Sequence, residues 1–275
     1  MNWLTAPFAF PFMVEAMLIT VIVAIPAALL SCFLVLRGWA LMGDGISHAV
    51  LPGIVLAYLA GIPLLIGAFV AGMICALSAG WLDANSRVKP DTTLGVVMSG
   101  MFGLGLVIYT QFPTDVHLDH ILFGNILGVG RDDFVSAGSI SAVVGLVLVL
   151  KWRDFALLVF DPVQARVAGL PIAWLHYGML AMISAVVVAM LSAVGIILSV
   201  SLLIAPGAIA FLVTRRLQAM LALAVAVATG SGLAGIWISF WLDSAPAPTI
   251  VVVMTVLFAL VFFWRQATGG RTAAT

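Results

Sequence analysis

The chain has 275 residues, of which 64% are hydrophobic and only 8% charged, with 11 basic side chains against 11 acidic ones. Soluble domains carry about 25% charged residues, so this chain cannot cover a globular surface in water. The expected fold class is an all-α integral membrane protein, and no nucleic acid partner is expected. The period-two alternation of a lipid-facing barrel strand is absent, and the N-terminal stretch has no basic segment marking a cleavable signal peptide.

Hydropathy and helix breakers predict a polytopic bundle of nine spans, at 13–36, 38–60, 62–82, 93–112, 134–150, 173–194, 196–213, 217–241 and 248–264. The count falls to eight if two segments fuse at one of the Gly-containing turns near 61 and 195, or if one is re-entrant. All 275 residues are read as a single transmembrane domain. Cys32 and Cys75 fall within apolar spans and imply no disulfide.

The second span opens with "GDGISHAVLPG", where Asp44 and His48 lie one helical turn apart on one face. For a helix starting near Gly38, His48 sits about 15 Å along, close to the bilayer midplane. A carboxylate at that depth faces a cavity or a partner. One anionic oxygen with one imidazole nitrogen suits Mn²⁺, Fe²⁺ or Zn²⁺. Two ligands are too few for a tight site, so another helix or a second copy must complete it. An Asp–His helix tie and a proton relay are the competing readings. Pro52 and Gly53 should kink the helix just beyond.

The polar stretch 113–133 contains "HILFGNILGVG", a candidate short re-entrant or interfacial helix. His117, Asp119 and His120 there are either solvated loop residues or a receiving point for metal. After the fifth span, "FDPVQARVAGL" reads as a helix of about two turns, capped by Asp161 with Pro162 at its first position and stopped by Gly169 and Pro171. It is either an interfacial connector or a docking element. His176 reads as structural. Pro206–Gly207 breaks the seventh span mid-way, as a passive bend or a hinge. "GSGLAG" at 230–235 matches a dinucleotide fingerprint by letters only, because no strand precedes it; its small residues let helices approach. No P-loop motif occurs, so the chain is not expected to be an enzyme, and a partner must hydrolyse any ATP.

Lys and Arg set the orientation. With nine spans and the N-terminus outside, ten of the 11 basic residues fall on the cytoplasmic side and only Arg131 outside. The outer face is then acidic, carrying Asp115, Asp119, Asp132, Asp133 and Asp243, and would attract cations.

"RGWALMGDGISHAVLPGIVLAYLAG", "LDHILFGNILGV", "FDPVQARVAGL", "GIILSVSLLIAPGAIAFLVTRR" and "DSAPAPTIVVVMTVLF" together resemble the metal ABC transporter permease family, the ABC-3 class. The resemblance covers nearly the whole chain, and the C-terminal blocks are most similar to the manganese and chelated-iron branch. It implies an ABC importer permease in a bacterial plasma membrane, importing manganese or iron, with zinc possible, and holding no permanent cofactor. Implied partners are an ATP-binding cassette ATPase, an extracytoplasmic metal-binding protein and a second copy of the chain. The family's metal-path acid and histidine map onto Asp44 and His48. Its coupling segment maps onto 161–169, with Asp161 and Pro162 at its start and Ala165, Arg166 and Gly169 as the presented surface. The alternative is a self-contained secondary metal/proton carrier. Against it, the membrane acids are confined to the first half and no internal repeat is evident.

Overall fold

A computed structural model describes residues 6–112 and 126–269. Among these the structure is helical, with α1 (Pro11–Arg37), α2 (Met42–Ala49), α3 (Leu51–Ala60), α4 (Leu64–Asn85), α5 (Pro90–Gln111), α6 (Arg131–Phe160), α7 (Pro162–Val167), α8 (Ile172–Val194), α9 (Ile196–Val213), α10 (Leu217–Leu242) and α11 (Pro246–Gly269). The described residues supply nine elements long and apolar enough to cross a membrane, α2 and α3 together forming one of them.

α1 is the centre of the fold. It is buried along most of its length and packs against α9, α10 and α6. A second group, α2 to α5, packs on itself and meets the first mainly through α8 and α9. Successive spans alternate in direction. One end gathers Arg37, Arg87, Lys89, Arg166, Arg215, Arg216 and Arg265, while Asp132, Asp133 and Asp243 lie at the other.

Close crossings are made by small residues. A side chain on Gly53 of α3 would collide with the Gly67 carbonyl of α4, and one on Gly67 with the Gly53 carbonyl. Ala57 and Ala71 continue the crossing one turn on, the small-xxx-small spacing that lets backbones meet where lipid offers no hydrophobic drive. On the other side, Ser31 of α1 accepts from the Gly207 N–H at 2.9 Å and donates to the Ile204 carbonyl at 3.1 Å. Pro206 interrupts the ladder of α9 here, and the Ser31 hydroxyl bonds backbone groups on either side of the proline.

Two expectations change in detail. The fifth span does not stop at 150 but runs as α6 to Phe160. Lys151 pairs with Asp154 at 3.0 Å on its surface, while Phe155 and Leu158 stay buried, so the charged stretch continues the helix. The second span does not start at Gly38, which instead caps α1 in the left-handed region (φ 74°). Trp39 donates its N–H back to the Leu34 carbonyl at 2.8 Å, and α2 begins only at Met42.

Candidate functional site

Measured from Met42, His48 is only about 9 Å into its helix. Its depth in the bundle is nevertheless central, as the neighbours of α2 show. Gly43 lies against Leu203, near the middle of α9. The Gly45 carbonyl faces Cys75 Sγ at 4.0 Å in the middle of α4, and Ile46 meets Gly72 beside Ser184, midway along α8. Glycines at 43 and 45 are what allow this, since a Cβ at either would press on Leu203 or Leu94.

The opposite face of α2 carries Asp44 and His48, with 38% and 33% of their side chains uncovered. Asp44 Oδ1 and His48 Nε2 are 3.6 Å apart, too far for a hydrogen bond. Both belong to one helix, so the pair ties no two helices together. His48 also meets the Phe102 ring of α5 nearly at right angles, centroids 5.7 Å apart. No three His, Cys, Asp or Glu residues cluster as a metal site among the described residues. His117, Asp119 and His120 lie outside the described residues.

The kink expected at Pro52–Gly53 lies at Val50, where α2 ends and α3 begins. Pro52 has no N–H to donate to the carbonyl four residues back. That carbonyl belongs to His48, so the break frees a backbone oxygen beside the imidazole. The signal was readable in the sequence as a proline four residues after a histidine. Toward the arginine-rich end, Asp83 and Asp91 line a small cavity with Trp39 and Met42.

Residues 9–265 match the ABC 3 transport family. The chain belongs to that family. It is 49% identical to the chelated iron transport system membrane protein YfeD of Yersinia pestis, across 96% of this chain and 89% of that one. It is 44% identical to the manganese transport system membrane protein MntC of Halalkalibacterium halodurans, across 96% of this chain and 91% of that one. Among solved structures it resembles PsaBC from Streptococcus pneumoniae in complex with Fab, with a TM-score of 0.84 and 32% identity over 95% of this chain and 94% of that one.

In this ABC 3 family member, the segment after α6 is built as a short, firmly ended helix. Asp161 Oδ1 accepts the Gln164 N–H at 2.8 Å, Pro162 opens α7, and Gly169 closes it at φ 75°. The left-handed conformation at Gly169 is one that a side chain would strain. Leu170 donates back to the Ala165 carbonyl at 3.0 Å. Ala165 does not belong to a presented surface, because its side chain is fully buried. A residue with a methyl side chain at that point seats α7 on its neighbours. The outward face is instead made by Val163 and Val167, 74% and 81% exposed and one turn apart, with Arg166 and Gly169 beside them. His176 stacks edge-on with Trp39 and Tyr177, and Arg37 lies over the Trp39 ring at 4.4 Å. This is a packing cluster at the arginine-rich end.

Proposed function

We propose that the chain is the permease of an ATP-driven importer of divalent transition metal ions, manganese or iron foremost, and that Asp44 and His48 of two facing copies form a transient site on the path. The observation that carries this reading is the pair itself. A carboxylate and an imidazole stand at mid-bundle depth, partly uncovered and not hydrogen-bonded to each other. Two atoms bound to one ion at about 2.1 Å each stand about 3 to 4 Å apart, so the separation suits sharing a cation. The carboxylate offsets the charge of the ion in a region of low dielectric, and the imidazole favours a first-row metal over calcium or magnesium. Lipid is a poor cover for such a pair, and a second copy of α2 and α5 would both cover it and bring two more ligands. The cation then leaves past Asp83 and Asp91 toward the arginine-rich end, which the positive-inside bias assigns to the cytoplasm. This puts the N-terminus outside and the acidic end toward an extracytoplasmic metal-binding protein.

Energy enters through α7, on the same side. Its exposed valine pair is an unusual surface for a helix at a charged end, and fits a hydrophobic cleft on an ATPase subunit. The deciding experiment is uptake of radiolabelled manganese by cells expressing the chain with its ATPase and binding protein, with iron and zinc as competitors. Uptake should persist under an uncoupler while ATP is maintained. Collapse with the proton gradient at constant ATP would assign the chain to secondary carriers instead.

A further inference from the structure

The arginine-rich end holds a groove that the metal path does not use. It encloses about 480 Å³ among the ends of α1, α6, α9, α10 and α11, and Arg215, Arg216 and Arg265 line it. Arg265 is partly engaged, donating from Nε and Nη2 to the carbonyls of Leu212 and Val213, both at 2.6 Å. A guanidinium has five donors, so three remain. Arg215 and Arg216 are exposed, and neither forms an ion pair among the described residues. Phe160 and Phe211, 63% and 53% exposed, stand in the same wall. Exposed cations beside bare apolar rings suit the level where a bilayer passes from headgroups to hydrocarbon.

A second groove, of about 310 Å³, lies in line with the first. Its floor is Phe33 and Leu29 of α1, about one and two turns farther into the bundle than Leu36 of the first groove. Its walls are Val149 and Trp152 of α6 and Leu221 of α10, the last one turn beyond Leu217. α6 and α10 each pack along α1 and leave this cleft between them. The pair of grooves therefore has a cationic head and an apolar tail, in the order in which a bilayer would present them.

We propose that these grooves bind an anionic phospholipid, its phosphate at Arg215, Arg216 and Arg265 and an acyl chain in the cleft between α6 and α10. Guanidinium forks match phosphate oxygens, and basic pockets between helix ends are suited to anionic headgroups. A free phosphate would account for the first groove and leave the second without a purpose. The inference is independent of which metal is carried.

Native mass spectrometry of the delipidated full-length chain, titrated with phosphatidylglycerol, phosphatidylcholine or inorganic phosphate, tests it. Phosphatidylglycerol should be retained over phosphatidylcholine, and millimolar phosphate should not displace it. Removing both exposed charges (R215Q with R216Q) should weaken binding about 25-fold, each arginine near an anionic surface contributing about fivefold. Neither side chain forms an ion pair among the described residues, and Arg265 is left intact. Val149→Trp, which obstructs the cleft without touching a charge, should also lower retention. Equal retention of both lipids, displacement by phosphate, or wild-type retention in either variant would overturn the proposal. So would loss of ATPase co-purification in the arginine variant with lipid retention unchanged, which would make the groove a protein contact.

Discussion

Asp44 and Ser31 show how much a single polar atom decides inside an apolar bundle. Asp44→Asn keeps the shape and removes the charge, so as a ligand change it should reduce metal uptake about tenfold or more at matched membrane level. His48→Ala should do the same. Near-normal uptake by Asp44→Asn would falsify the ligand role, since an amide replaces a carboxylate in a merely structural position with little loss. Ser31→Ala acts on stability instead. It leaves the Gly207 N–H without its acceptor and should cost about 1–3 kcal/mol, read as a lower melting temperature in detergent. Unchanged melting would mean that water or a shifted backbone takes over. Asp44 and His48 were legible in the sequence because charged residues in an apolar span have few uses. Ser31 was not, since its partners lie more than 170 residues away. Nor does the sequence reveal what would complete the proposed metal site, because one copy's helix offers only two ligands.

Among the elements, α7 offers the sharpest test. Val163→Glu with Val167→Glu should abolish co-purification of the ATPase while the chain still inserts, because the substitutions fall on an exposed outward face. Undiminished ATPase binding and uptake would refute the docking role. Asp161→Ala should have a milder effect, removing a cap worth about 1 kcal/mol and loosening α7 without erasing its surface; ATPase affinity should fall while binding remains measurable. The nine spans were readable from hydropathy because lipid demands about 20 apolar residues of each helix. The ends were less so. Residues 151–160 look like a loop by charge, yet stay helical because Lys151 and Asp154 pair along one face and Phe155 and Leu158 bury on another. The start of the second span was misplaced by the turn at Trp39, a tertiary feature with no hydropathy signature.

At the scale of the whole molecule, the uncovered face at α2 and α5 argues for two copies in the working transporter. Native mass of the purified complex should show two permease chains, and an active complex with one would contradict it. The two groups of helices also differ in how they are joined. Ser31 bonds α1 to α9, Arg265 bonds α11 to α9 and Cys32 reaches the Met220 carbonyl of α10, whereas α3 and α4 meet through a small-residue crossing. Arg265 has a consequence for biosynthesis. A ribosome makes α9 some fifty residues before the side chain that satisfies its last carbonyls, so this corner stays unsealed while α10 and α11 are still being threaded into the bilayer. Folding at the arginine-rich end is thus timed to the arrival of α11, and a nascent chain stalled before residue 265 should expose Arg215 and Arg216 to trypsin more readily than the released protein does.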